Sequence, residues 1–233
     1  MNPNERLFSL DALRGFDMLF IMGFAGLVSS LCALWPNLFT DALAAQMHHV
    51  PWDGLTHHDT IFPLFLFIAG ISFPFSLAKQ RANGFGEGRI LRRVIRRGVV
   101  LVFLGMVYNG LFKLDFATLR VASVLGRIGL AWMFAALLYL YCGTRTRIGI
   151  AAVILVGYSA LLCLVAAPDA PLGADPLSKE GCLACWVDRQ WLPGRLIYGT
   201  FDPEGLLSTL PAIVTAMLGM FTGEFLRADS PKL

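Results

Sequence analysis

The sequence is short of charge. Asp, Glu, Lys and Arg make up 15% of its 233 residues, where a soluble domain carries roughly 25%. That deficit argues against an ordinary water-exposed surface. The net charge of +3 is too small and too segregated to serve nucleic acid. Cysteine is scarce as well: five residues, scattered, which excludes a disulfide scaffold. Cys32, Cys142 and Cys163 lie in or beside apolar runs and read as filler, whereas Cys182 and Cys185 form one CxxC. A local disulfide fits that spacing, and a lone CxxC is weak evidence for zinc. No internal repeat or low-complexity tract appears, so 1–233 reads as a single domain.

What the chain has in excess is apolar. Hydrophobic residues make up 56% and the mean hydropathy is +0.64. They come in blocks of bilayer-spanning length, which amphipathic core helices would not show. Six stretches stand out: 16–34, 61–78, 98–112, 121–142, 148–167 and 206–226. The third is short and borrows length from the arginines before it, which can snorkel to the interface. The first is too long for a signal-peptide core and lacks a small-residue cleavage site, so it is expected to stay as an anchor. The fold class is therefore all-α, a polytopic transmembrane bundle of about six helices.

Orientation follows from the nineteen Lys and Arg. With the N-terminus inside, the inner set is Arg6, Arg14, Lys79, Arg81, Arg89, Arg92, Arg93, Arg96, Arg97, Arg145, Arg147, Arg227 and Lys232. The outer set is only Lys113, Arg120, Lys179, Arg189 and Arg195, with Arg127 inside a span. Both termini are expected in the cytoplasm. Arg89, Arg92, Arg93, Arg96 and Arg97 recur at helical spacing opposite Ile90, Leu91, Val94 and Ile95, which predicts an amphipathic basic helix lying on the inner surface. It reads either as an anchor on anionic lipid or as a landing site for an anionic cofactor.

Two outer loops are long, 35–60 and 168–205, and loops of that length are more often functional than connective. All four histidines, His48, His49, His57 and His58, fall in the first, beside Asp53 and Asp59. A histidine next to a carboxylate is the usual general base near neutral pH. A metal site is the competing reading, but adjacent pairs lack the i, i+4 spacing of a dedicated site, and none is expected. Thr56-His57-His58-Asp59 has the form of a capping box. Asp202-Pro203 looks like the N-cap and first residue of the sixth span, so Asp59, Asp202 and Glu204 divide between capping and catalysis. Within the spans, Arg127 shares a helical face with Ser123 and Arg120 and calls for an anionic partner. Asp17 and Glu224 sit near inner ends, within reach of the interface. Gly219 and Gly223 form a helix-packing GxxxG.

Four ordered segments resemble one family. They are Ser9-Leu10-Asp11-Ala12-Leu13-Arg14-Gly15; His49-x-x-Trp52-Asp53-Gly54-Leu55-Thr56 running into Asp59-x-Ile61-Phe62-Pro63; Arg120-x-x-Ser123-Val124-Leu125-Gly126-Arg127; and Thr200-Phe201-Asp202-Pro203-Glu204-Gly205. The pattern is similar to the heparan-α-glucosaminide N-acetyltransferase family, to its bacterial relatives in particular. That resemblance implies a multi-pass protein of the bacterial inner membrane that uses cytoplasmic acetyl-CoA to acetylate a saccharide-like acceptor on the far side. The family's catalytic histidine matches His49, not His48. Two departures are visible. The polar residue the family carries in the outer part of the first span falls at Ala25. The chain also ends just after the sixth span, where relatives continue, so an N-terminal portion of a longer protein is expected.

The expected site follows. His49 is the base or the transient acetyl carrier, and Asp53 or Asp59 orients its imidazole. Arg120, Ser123 and Arg127 hold anionic groups of the donor, while Trp52, Asp202 and Glu204 meet the acceptor. The partners are the bilayer and the acceptor, with a homodimer left open. The rival readings are a transporter or channel built on the same His, Asp and Arg groups, or a non-catalytic scaffold. The first is disfavoured because no pair of broken spans marks an inverted repeat.

Overall fold

The computed structural model describes residues 8–228; Arg6 and Lys232, counted above on the inner side, lie outside them. The described residues form helices α1 (Phe8–Leu19), α2 (Ala25–Cys32), α3 (Leu38–Gln46), α4 (His57–Ala82), α5 (Glu87–Tyr108), α6 (Val124–Tyr141), α7 (Thr144–Leu164), α8 (Leu183–Trp191) and α9 (Thr209–Ala228). No strand occurs among them. Five stretches are long and apolar enough to cross a membrane: Phe8–Cys32, His57–Ala82, Val124–Tyr141, Thr144–Leu164 and Thr209–Ala228. The first is α1 and α2 joined through a π-helical turn, Phe20–Phe24, where Gly23 takes φ 114°. A side chain resists that backbone and glycine accepts it.

Expectation and structure part company at α5. The basic segment is not a separate surface helix; it runs unbroken into the third apolar stretch over 22 residues, about 33 Å of helix. Ile90, Val94 and Gly98 are buried along its length, so packing against the bundle continues the helix past the last arginine. The sixth span also begins later than expected, at Thr209 rather than near Pro203.

Small residues let the helices close. A Cβ at Gly219 would lie 2.1 Å from the Phe67 carbonyl oxygen, one at Gly223 2.4 Å from that of Ile71, and one at Gly70 2.3 Å from that of Ala216. The expected GxxxG is thus the seam between α4 and α9, with backbones nearly touching. Gly98 and Gly129 do the same between α5 and α6, where a Cβ at Gly129 would meet the Gly98 carbonyl oxygen at 2.8 Å. Around these seams Leu66, Phe73, Trp132, Met217 and Met220 form the core. The outward faces of α5 and α7, with Val99, Phe103, Val153, Val156 and Leu164, remain exposed, as suits contact with lipid tails.

Neither acid assigned to an inner span end reaches the interface freely. Asp17 is 1% exposed and its Oδ2 has no hydrogen-bond partner. Glu224 accepts from Arg147 at 2.8 Å, and that arginine, 4% exposed, also lies over the rings of Tyr139 and Phe221.

Candidate active site

The segment between α3 and α4 is fixed before any chemistry is considered. Thr56 is the N-cap of α4 in a capping box, with the Thr56 N–H donating to Asp59 Oδ2 at 2.9 Å. The Thr56 hydroxyl lies 2.8 Å from that same oxygen and 2.7 Å from the His48 carbonyl oxygen. The predicted capping box therefore exists, and it occupies one carboxylate oxygen only. The other, Oδ1, lies 2.6 Å from His49 Nδ1. One residue both caps the helix and orients the imidazole.

The remaining histidines have other occupations. His48 Nε2 sits 2.9 Å from the Ser29 hydroxyl. His57 packs on Phe20 at 4.7 Å between ring centroids and donates its backbone N–H to Gln46 Oε1. His58 lies edge-on to the His49 ring at 4.5 Å. Asp53 is exposed and stands outside the cavity that His49 lines, so of the two expected orienting acids the structure brings Asp59 to the histidine.

That cavity holds about 590 Å³ and is lined by His49, Trp52, Asp59, Arg120, Asp202 and Glu204 among others. Six of the nine residues singled out in the sequence therefore converge, from loops more than a hundred residues apart. The long 168–205 segment is not irregular throughout: α8 lies within it, tied to α7 by a bridge between Ala166 and Cys182. A second bridge, Arg120 to Gly194, lays the segment before α6 against it. Trp52 Nε1 donates to the Leu177 carbonyl at 2.8 Å, and its ring meets Phe201 edge-on at 5.1 Å. Tyr198 stacks on Phe201 at 4.7 Å. The result is an aromatic wall facing the His49 side.

Asp202 is not a helix cap. It is 4% exposed and receives Arg120 Nε at 2.7 Å and Nη2 at 2.6 Å, a bidentate pair across 82 residues. Arg120 Nη2 also bonds Glu204. Burial pushes Asp202 upward, but hydrogen bonds from Arg120 and Glu204 overcome it and hold the carboxyl below its usual range. Burial and the neighbouring Asp202 raise Glu204. The bond to Asp202 raises Arg120 in turn.

Arg127 and Ser123 fall outside the cavity lining. Ser123 is the N-cap of α6, buried, accepting the Gly126 N–H at 3.0 Å; Arg120 precedes the helix and so shares no helical face with Arg127. Arg127 donates to the carbonyls of Pro203 and Ser208, each at 2.8 Å, and lies over Phe62. It braces the segment ahead of α9.

Among the lining residues that escaped sequence reasoning are Tyr158 and Asp188. Asp188 is 2% exposed, and burial raises its pKa to about 6. Its Oδ1 accepts the Leu206 N–H at 2.8 Å. Its spacing of three from Cys185 on α8 was the one available signal. Among the described residues no group of three or more His, Cys, Asp or Glu gathers to hold a metal.

At the opposite end of α4 a smaller cavity of about 270 Å³ is lined by Ser72, Ser76, Gln80, Arg93, Arg97 and Trp132, among others. Arg93 bonds Gln80 at 3.1 Å and lies over Phe85, while Arg97 lies over Trp132. No carboxylate partner faces either arginine among the described residues. From Asp59 to Ser76 along the helix is about 25 Å.

Comparison with known proteins adds the following. A family model described as a domain of unknown function, DUF5009, matches residues 6–162. The chain is 27% identical over 225 residues to heparan-alpha-glucosaminide N-acetyltransferase of Homo sapiens and 26% identical over 225 residues to that of Mus musculus. Each match takes in 76% of this chain and 34% of the relative, so the chain spans about a third of the length of the curated relatives it matches. The DUF5009 match contains His49, Asp59 and Arg120 and stops short of α8 and of Asp202.

Proposed function

The chain belongs to the DUF5009 family and is homologous to transmembrane acetyltransferases, and on that footing we propose that it moves an acetyl group from acetyl-CoA to an amine or hydroxyl of a saccharide-like acceptor. The His49–Asp59 pair facing the 590 Å³ cavity carries the reading. With Asp59 Oδ1 accepting a hydrogen bond from Nδ1–H, His49 keeps the Nε2 lone pair for the acceptor's proton as its nitrogen or oxygen attacks. Asp59 then stabilises the imidazolium. Its own orientation is set by Thr56, so the base is aligned before substrate arrives.

The acceptor side of the cavity is aromatic and acidic. Trp52 and Phe201 offer flat apolar faces suited to a sugar ring, and Glu204, beside the buried Arg120–Asp202 pair, offers an oxygen to its polar groups. Acetyl-CoA would supply an acyl thioester already activated for transfer. Its phosphates find no open cation at Arg120 or Arg127, both already partnered. Arg93 and Arg97, at the far end of α4, line the smaller cavity and have no carboxylate partner among the described residues. The proposed layout is thus a donor end at the arginine cavity on the cytoplasmic side and chemistry at the outer one.

Labelled acetyl-CoA with a panel of amino sugars, in proteoliposomes, tests this. Label on the acceptor supports the enzyme. Flux of the acceptor without transfer would mean a transporter, and neither would mean a scaffold. The sidedness is checked separately by cysteine probes: Ala174→Cys is expected to react with an impermeant reagent from outside sealed cells and Asn83→Cys to be spared. The reverse pattern would overturn the orientation.

A further inference from the structure

The cavity wall holds two nucleophiles that acyl transfer does not use. Cys182 is the N-cap of α8 and Cys185 lies three residues on, in its first turn. Both are buried, both thiols are free, and both line the 590 Å³ cavity. The spacing i, i+3 across a helix start places the two side chains on one face. The two thiols lie close enough to interact directly. The first N–H groups of the helix, those of Ala184 and Cys185, face that sulfur without closing a full cap hydrogen bond. The helix start contributes partial positive charge at the same atom. Arg189 adds a full one within electrostatic reach, while Asp188 on α8 and Tyr158 on α7 are the other ionisable groups that face it. Trp52, Leu162, Phe201 and Leu207 pack against the pair.

We propose that Cys182 and Cys185 form a redox-active dithiol, a thiol–disulfide exchange site in the cavity wall, whose substrate class is a low-molecular-mass disulfide. Cys182 is the attacking sulfur because every stabilising contact points to it. Cys185, in the first turn of α8 and on the same face, is the resolving sulfur. The Cys182 thiolate attacks one sulfur of R–S–S–R, forming a mixed disulfide and releasing RS⁻, which takes up a proton. The Cys185 thiol then loses its proton and attacks the Cys182 sulfur, closing the protein disulfide and releasing the second RSH. Two protein thiols are oxidised by two electrons and one external disulfide is reduced to two thiols. Closure removes the thiolate charge beside Asp188 and draws the two sulfurs together beneath the aromatic wall, so the cavity has two redox forms.

The hydrogen bond with Cys185 brings Cys182 down to about 6, and the same bond, with burial, pushes Cys185 up. A low thiol pKa raises the thiolate fraction but lowers intrinsic nucleophilicity, so the pH midpoint of reaction, not its rate at one pH, is the informative quantity.

The test uses the whole chain in detergent, equilibrated with reduced and oxidised glutathione, acid-quenched and alkylated. Peptide mass spectrometry should show Cys182 and Cys185 leaving the alkylated pool together in one reversible step, while Cys32 stays reduced. Cys185→Ser should accumulate a glutathione adduct at Cys182; Cys182→Ser should accumulate none at Cys185. An unmodified Cys182 in the Cys185→Ser protein, or equal adducts in the two variants, would overturn the proposal. So would a pair that never oxidises, or a disulfide that dithiothreitol leaves intact in the folded protein. Should either variant fail to fold, iodoacetamide labelling of the unaltered protein decides. Half-maximal labelling of Cys182 is expected at about pH 6, and a midpoint near that of an ordinary thiol, about 8.5, would overturn it.

Discussion

The two ends of α4 are built on opposite principles. At the His57 end the charges of the catalytic pair and of the acidic wall are matched: Asp59 holds His49, and Arg120 is shared by Asp202 and Glu204. At the Gln80 end, Arg93 and Arg97 rest on aromatic faces and an amide, with no carboxylate opposite among the described residues. A site whose charges are already paired is oriented in advance and needs little from its ligand, which is the arrangement chemistry requires. A site with unmatched cations is completed by an anion. Under the proposed function, the contrast puts catalysis at one end and recognition of a phosphate-bearing donor at the other.

The largest effect that sharpens the contrast is expected at His49. His49→Ala should lower acetyl transfer about 10²–10⁴-fold, the usual cost of losing a general base, with folding and donor binding retained. His48→Ala, His57→Ala, His58→Ala and Asp53→Ala should keep most activity, since none of those side chains lines the cavity. Transfer surviving in a folded His49→Ala protein would end the assignment; loss restored by added zinc would point to a metal instead.

Next comes the paired arginine. Arg120→Ala leaves Asp202 buried and charged, and breaking such a pair costs about 3–5 kcal/mol. The protein should lose most of its thermal stability, and Arg120→Ala combined with Asp202→Asn should recover part of it. A stable single variant would mean that the trio is open to solvent rather than a built wall.

How much of this was legible beforehand depends on the range of the signal. The spans were, because hydropathy is local and α4, α6, α7 and α9 carry it without help. The Thr56–Asp59 capping box was legible for the same reason, as was the Gly219/Gly223 seam. Asp202-Pro203 gave an equally clear local signal and it misled: the carboxylate that looks like a helix cap is claimed by Arg120, 82 residues away. Ser123 and Arg127 were read as ligand contacts because a polar residue near a span invites that reading. Their partners, the Gly126 N–H and the carbonyls of Pro203 and Ser208, are backbone groups that no side-chain pattern announces. The role of Asp188 was hidden but for its spacing from Cys185, since burial is a property of the fold and not of the nine residues of α8.

At the open end the expected effects are smaller. Arg93→Ala and Arg97→Ala should each weaken binding of CoA about tenfold, or about 1.4 kcal/mol, close to the lower end of what a hydrogen bond to a charged group contributes. Stability should barely change, and the loss should shrink as salt rises. Arg127→Ala should do the reverse, lowering stability and leaving the affinity for CoA close to normal. If Arg127→Ala proves to be the variant that loses CoA, the donor end has been placed at the wrong end of α4.

The smallest effect lies in the pH dependence of stability, where two neighbours on α8 act with opposite sign. Asp188 has a folded pKa of about 6 against an ordinary 3.8, raised by burial. Between those values the folded protein holds more protons than the unfolded one, so stability falls as pH rises from about 4 to about 6. Cys182 has a folded pKa of about 6 against an ordinary 9.0. From about 6 to about 9 the unfolded chain holds more protons, so this thiol makes stability rise with pH. Together they give a shallow minimum near pH 6 in melting temperature, read under reducing conditions. Asp188→Asn keeps an oxygen for the Leu206 N–H and removes the titration, so it should flatten the acid limb by a few degrees and leave the alkaline limb in place. Cys182→Ser should flatten the alkaline limb alone. A flat profile in the unaltered protein, or one variant erasing both limbs, would show that the two groups do not titrate separately at the cavity end.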